Sequence, residues 1–241
     1  MAKIVVDRGH GGSDPGAVGY VKERTVAVKV GDYMVDYLQQ NYTVSIMETI
    51  GTDNLNTRCS KANKWGADLF VSIHFNAGGG DGYEALVYSK DNLKLGQTFE
   101  KQVKAVGQNS RGVKYRPDLA VLRLTDCKAI LNEIAFVDNK ADIQDWDENS
   151  ELKVMGEALA KAAADWLGLK KKGSQESKAA LKVGAKVKIK EGAKDLNTKK
   201  TYSDFVYKTT YTIISISGDR VVFGLNGKVT GATSKSNIKL I

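Results

Sequence analysis

Residues 3–12 read Lys3-Ile-Val-Val-Asp-Arg-Gly-His-Gly-Gly12. A short β-branched apolar run that breaks on a glycine-rich turn is the pattern of a buried strand feeding a loop. Working outward, Val26, Val30, Met34, Tyr37 and Leu38 recur at helical spacing, so the turn predicts an amphipathic helix over 24–38. Strands are predicted at 42–47 and at 68–74, the latter reading Asp68-Leu-Phe-Val-Ser-Ile-His74, with a short helix at 57–65 between them. A strand at 83–88, a helix at 93–106 and the apolar run Ala129-Ile-Leu-Asn-Glu133 continue the alternation. A last helix carries Leu152, Met155, Leu159, Ala162 and Trp166 on one stripe, with Ser150 as its expected cap and Gly168 just past its end. Alternating β and α with apolar strands predicts an α/β fold, a mainly parallel sheet covered by helices.

After Gly168 the texture changes. Residues 169–180 are polar and charged without an apolar stripe, as expected of a linker. From 181 to 241 short alternating segments at 185–190, 210–216, 220–225 and 237–241 are punctuated by Gly218-Asp219 and Asn226-Gly227, which have hairpin-turn chemistry. The expectation is a small all-β, SH3-like barrel. Its aromatics, Tyr202, Phe205, Tyr207, Tyr211 and Phe223, either line a binding face or fill the small core, the second being the more ordinary use.

Charge divides along the same boundary. Residues 1–168 hold 20 Lys+Arg against 23 Asp+Glu, a net −3, and residues 169–241 hold 16 against 5, a net +11. Such asymmetry points the tail toward an anionic partner: nucleic acid, a membrane surface or an anionic wall polymer. Cys59 and Cys127 form neither a CxxC pair nor a framework spacing and are expected to be reduced core residues. The N-terminus lacks the features of a secretory signal, and no apolar stretch approaches membrane-spanning length. The protein is therefore expected to be made in the cytoplasm without a membrane anchor of its own.

The chain has two histidines, and each follows a predicted strand: His10 after the first, His74 at the end of the third. In open parallel sheets ligands bind beyond the carboxyl ends of the strands, so the two can converge there. Imidazole is the commonest metal ligand. Glu23 opens the first helix and Glu133 leaves an apolar strand. Singly, a histidine in a turn or an acid at a helix start is ordinary. Glu133 is different, because a carboxylate at the end of a buried strand is costly without a partner and calls for a cation or a catalytic use.

Five ordered segments carry a resemblance. Asp7-Arg-Gly-His-Gly-Gly-Ser-Asp-Pro-Gly-Ala17, Lys22-Glu23, Arg58, Ser72-Ile-His-Phe-Asn76 and Leu131-Asn-Glu-Ile-Ala-Phe-Val-Asp-Asn139 resemble the motifs of zinc N-acetylmuramoyl-L-alanine amidases of the amidase-3 group, over residues 1–168. That group occurs in bacterial autolysins and phage endolysins. The resemblance implies Zn2+ held by His10, Glu23 and His74, with Glu133 as the catalytic carboxylate. Arg8 stands where the family usually has proline, and Ile134-Ala135 replaces its more usual Leu-Gly. A His₂Glu set with one open position is the chemistry of a catalytic rather than a structural zinc site. Zinc lowers the pKa of water toward about 7 and polarises a carbonyl, while Glu133 would move the proton from water to the departing amine. The bond implied joins the lactyl group of N-acetylmuramic acid to L-alanine of the stem peptide. Glycines 9, 11 and 12 would let the backbone turn closely around the metal. Asn76 either helps hold substrate or the His74 loop, or caps that loop locally.

The basic tail resembles the SH3-like cell-wall-binding domains of phage lysins, so peptidoglycan and wall polymers are the expected partners and nucleic acid is not. Oligomeric state is left open by the sequence. Two rivals remain: a zinc peptidase cutting within the stem peptide, and a non-catalytic basic binding protein. A wall substrate without a secretory signal suggests a lysin that waits in the host cytoplasm until a holin opens the membrane.

Overall fold

The computed structural model describes residues 1–49, 51, 54–172 and 181–241. Of the linker expected at 169–180, residues 173–180 lie outside the described residues. Internal contacts divide the chain into two units, Met1–Ser174 and Gln175–Ile241.

The first unit contains β1 (Ala2–Arg8), α1 (Glu23–Asn41), β2 (Val44–Thr49), α2 (Leu55–Trp65), β3 (Leu69–Asn76), β4 (Tyr83–Val87), α3 (Leu93–Lys104), β5 (Ser110–Tyr115), α4 (Ala120–Arg123), β6 (Lys128–Phe136), α5 (Lys140–Ile143) and α6 (Asn149–Trp166). Its sheet runs β2-β1-β3-β6-β4-β5. Every pairing is parallel except β4 with β6. The mainly parallel α/β class expected from the sequence therefore holds, with the edge pair β4 and β5 reversed against the other four strands.

Alternation along the strands fills two cores. Ile4 and Val6 of β1, Leu69, Val71, Ile73 and Phe75 of β3 and Ile130 and Ile134 of β6 meet the buried stripes of α1, α3 and α6. The odd-numbered neighbours Val5, Ala129 and Leu131, with Phe70 and Leu86, meet Cys59 and Ala62 of α2 and Val121 and Leu122 of α4. Each Val, Leu, Ile or Phe side chain among them contributes about 1.5–3 kcal/mol on burial. Cys59 and Cys127 are free thiols, and burial raises both, Cys127 to about 11.

Several boundaries differ from the sequence expectation. Tyr42 caps α1, its N–H donating to Leu38 O, so β2 starts at Val44. Glu148 rather than Ser150 caps α6: its side chain accepts from the backbone N–H three residues on, and Glu151 accepts from the Glu148 N–H at 3.2 Å. Gly168 follows that helix with φ +62°.

The second unit contains β7 (Lys186–Ile189), α7 (Asp204–Lys208), β8 (Tyr211–Ser217), β9 (Arg220–Leu225), β10 (Lys228–Ser234) and β11 (Ile238–Leu240). They make one antiparallel sheet in the order β10-β9-β8-β7-β11. Asn226 (φ +50°) and Gly227 (φ +77°) turn β9 into β10, the left-handed pair that a two-residue hairpin requires. Tyr211 and Phe223 are buried with ring centroids 4.9 Å apart, Tyr202 and Tyr207 pack on them half-buried, and Phe205 is exposed. Four of the five aromatics thus serve the core. Asp195 ties the unit together by accepting from the N–H groups of Asn197, Thr198 and Ala232 and from the Tyr202 hydroxyl.

Candidate metal centre

Beyond the last apolar rank of the α2/α4 face, a polar row crosses the sheet. His74 of β3 is the register partner of Glu133 on β6, and Glu133 is the partner of Glu84 on β4. Register partners project to the same face, so the row is continuous. At the β1 end the backbone turns at Gly9, where a Cβ would lie 2.5 Å from the His74 ring. Only glycine permits that approach.

His10 follows, at φ +61°, a left-handed conformation that costs energy outside glycine and persists only where its surroundings enforce it. The enforcement comes from Arg58 of α2. Its guanidinium donates to Asp7 Oδ1, Arg8 O and His10 O, all at 2.8 Å. Asp7 in turn accepts from Thr49 and Ser72 hydroxyls at 2.5 and 2.6 Å. Arg8, at the family's usual proline position, pairs with Asp32 and Glu48, both at 2.6 Å.

The loop brings His10 against Glu23, the first residue of α1. His10 Nε2 lies 3.0 Å from Glu23 Oε2, and His74 Nδ1 lies 2.8 Å from Glu23 Oε1. The imidazole centroids are 4.9 Å apart, edge to face. Backbone N–H groups of Ala17 and Phe75 donate to the two Glu23 oxygens, fixing the carboxylate. His10 Nδ1 meets Asp14 Oδ2 at 2.8 Å, an outer partner that orients the ring. One ligand atom from each of His10, Glu23 and His74 lies within 4.8 Å of the others. Two imidazoles and a carboxylate are a donor set suited to zinc, and a cleft of about 350 Å³ opens beside both histidines.

Electrostatics agree with a cation site. The hydrogen bond to Glu23 raises His10 to about 9, against the effect of burial. Burial pushes Glu23 up, yet the hydrogen bonds from His10 and His74 outweigh it and bring the carboxyl to about 2. Glu133 behaves oppositely. Burial raises it to about 7, with His74 opposing and the Glu23 and Glu84 carboxylates adding to the rise. Its Oε2 is buried without a hydrogen-bond partner among the described residues. Such an atom needs a use.

The four residues singled out from sequence thus stand at one sheet edge, three in mutual contact and the fourth in the adjacent register position. Asn76 caps locally through the Ala77 N–H and reaches Glu84 at 3.4 Å. Sequence reasoning missed the supports. Arg58 and Asp7 stand in the sequence only as members of motifs, without a sign that they pair. Glu84, buried and held by Arg111 and Lys114, was not noted at all. A buried acid at a strand start beside two later cations was the only signal for it.

The carboxyl edge of the α/β sheet thus carries a His₂Glu cluster beside a carboxylate with one buried oxygen that lacks a hydrogen-bond partner among the described residues, an arrangement suited to hydrolysis at a metal site. Residues 4–165 match the family Amidase_3, N-acetylmuramoyl-L-alanine amidase, and the chain belongs to that family. It is 37% identical over 187 residues to the endolysin of Bacillus phage SPP1, covering 71% of this chain and 69% of that protein. It is 34% identical over 183 residues to a sporulation-specific N-acetylmuramoyl-L-alanine amidase of Bacillus subtilis (strain 168), covering 72% and 71%. Among solved structures it resembles the catalytic domain of CwlV, an N-acetylmuramoyl-L-alanine amidase from Bacillus (Paenibacillus) polymyxa var. colistinus, with a TM-score of 0.66 and 25% identity over 70% of this chain and all of that one.

Proposed function

We propose that this chain is an endolysin that hydrolyses the amide between the lactyl group of N-acetylmuramic acid and L-alanine of the stem peptide. Zinc is held by His10, Glu23 and His74, and Glu133 is the catalytic carboxylate. Residues 1–168 are the catalytic part, 169–180 the linker and 181–241 an SH3-like wall-binding part. The observation that carries the reading is the convergence of both histidines on Glu23 beside a carboxylate with a buried, unpartnered oxygen.

When bound, zinc supplies a Lewis acid that polarises the scissile carbonyl and acidifies water. The residues of the chain do the rest. Glu23 is locked by two backbone N–H groups, so its geometry survives substrate entry. Arg58 and Asp7 keep the His10 loop in its left-handed turn. Glu133, raised toward neutrality by burial, can accept the proton of the attacking water at one oxygen and return it to the departing alanine amine.

The described residues include no helix long and apolar enough to cross a membrane. On the endolysin reading the protein waits in the host cytoplasm and reaches the wall once a holin opens the membrane. The test is hydrolysis of purified walls with and without a chelator, coupled to end-group and metal analysis. The reading expects new N-terminal alanine and about one zinc per chain, lost in His74→Ala. New ends inside the stem peptide would make the chain a peptidase instead.

A further inference from the structure

The second unit carries a cleft of about 430 Å³ bounded by β7, β11 and α7. Lys188, Lys190, Lys208 and Lys239 line it, together with Glu191 and Asp204. Lys188 and Lys239 are direct partners in the antiparallel β7–β11 pair. Like charges directly opposite one another destabilise a sheet. Lys190 follows on the same face, about 7 Å along the strand, and Lys208 ends the short helix above. Among the described residues no ion pair links any of the four to Glu191 or Asp204, and of their side chains only that of Lys190 makes a hydrogen bond, to Ser236 O at 2.7 Å. Four cations against two carboxylates leave the cleft short of negative charge. The fold holds a repulsive pair at its floor that any neutral residue would relieve.

The lining also says which polyanion fits. Its one aromatic, Tyr207, packs half-buried against the core with its hydroxyl donating to Ala193 O at 3.3 Å, so the lining holds no series of exposed rings on which successive bases could stack. Glu191 and Asp204 are exposed acceptors that repel phosphate but receive hydroxyls. Phosphodiesters alternating with hydroxyl-bearing carbons match this mixture better than a nucleic acid does. We propose that the cleft binds a polyol-phosphate polymer of the bacterial wall, phosphates on Lys188, Lys190, Lys208 and Lys239 and hydroxyls on Glu191 and Asp204. This rests on the wall-binding reading of the tail and names its ligand.

The test measures binding of the full chain carrying Glu133→Gln, so that walls stay intact, by co-sedimentation with purified Gram-positive walls. Walls are used before and after hydrofluoric acid, which strips phosphodiester-linked polymer and leaves peptidoglycan. Strong binding to intact walls and weak binding to stripped walls is expected. Adding Lys188→Gln and Lys239→Gln should weaken intact-wall binding about tenfold and flatten the salt dependence of log affinity by roughly one to two, as for the loss of two phosphate contacts. Tail stability should be unchanged or higher, since the repulsive pair is gone. Lys208→Gln alone should give a smaller loss. The control pair Lys199→Gln with Lys228→Gln, outside the cleft, should bind as the parent does.

Equal losses in cleft and control pairs would reduce the effect to diffuse attraction and overturn the proposal. So would undiminished binding to stripped walls, or competition by single-stranded DNA as effective as by poly(glycerol phosphate) at equal phosphate. A destabilised tail in both cleft variants would make the lysines structural and overturn it too. The amidase reading is scored separately, on release of alanine ends from a soluble phosphate-free muropeptide by the chain with Glu133 intact.

Discussion

Glu133→Gln changes the charge of one half-buried side chain, whose Oε2 is buried, while keeping its size, and its effects on stability and on catalysis should run in opposite directions. The carboxyl is raised by burial from its ordinary 4.5 to about 7. A carboxyl whose pKa is higher folded than unfolded holds its proton more tightly in the folded state. Stability is therefore fullest in acid and falls as pH rises from 4.5 through about 7. At about 1.4 kcal/mol per pH unit this difference amounts to about 3 kcal/mol lost by pH 8. The amide pays no such penalty, so chelator-treated Glu133→Gln should match the parent near pH 4 and exceed it by about 3 kcal/mol at pH 8. Urea titrations followed by tryptophan fluorescence report this directly, because Trp65, Trp146 and Trp166 all lie in the first unit. With zinc restored the gain should shrink, since a neighbouring cation favours the carboxylate. Turnover should fall by about 10²- to 10⁴-fold with zinc retained. A stability gain independent of pH, or a loss at pH 8, would refute the claim that the carboxylate is held against its own solvation.

Zinc capture by the metal-free protein near pH 7 should release at least one proton, because the hydrogen bond to Glu23 holds His10 protonated up to about 9 and the nearby cation also draws Glu133, raised to about 7, toward its carboxylate; calorimetry in buffers of different ionisation enthalpy checks this. Affinity for zinc should accordingly rise with pH up to that value. Arg58→Ala leaves buried Asp7 without its cation and frees the His10 loop, and should cost the first unit about 3–5 kcal/mol by the same fluorescence titration. Asp195→Ala strands the N–H donors of Asn197, Thr198 and Ala232, while the Tyr202 hydroxyl keeps Ala232 O as acceptor, and should cost the second unit about 3 kcal/mol with no effect on the tryptophan signal; circular dichroism or calorimetry would see it.

The parts of this fold that read clearly from sequence are those where one signal dominates. β1, β3 and β6 are continuous apolar runs because both faces are covered. β5 escaped notice since Ser110-Arg-Gly-Val-Lys-Tyr115 is an edge strand with one aliphatic residue, and α7 since five residues carry no period. β10 was implied by Asn226-Gly227 yet missed, its exposed Val229 and small residues giving no alternation to read. The reversal of β4, which β5 shares, has no signature in Tyr83-Glu-Ala-Leu-Val87, because a buried strand is equally apolar in either direction. In the site, His10 and His74 stand out as the chain's two histidines, whereas Arg58 shows in the sequence only as a motif position with no role attached. Its role depends on Asp7, 51 residues earlier, and on backbone carbonyls that sequence does not display.

Strand order has a consequence for how the molecule comes into being. β6 lies between β3 and β4 although it follows both in the chain. The gap between them must stay open, or reopen, until residues 128–136 emerge. Such long-range pairing is intrinsically slow to form. His10, Glu23 and His74 are all synthesised before that gap is filled, and Glu133 arrives with the strand that fills it. A ribosome-bound chain can therefore assemble the proposed ligand trio early, but it lacks the carboxylate proposed for proton transfer until the central strand is inserted.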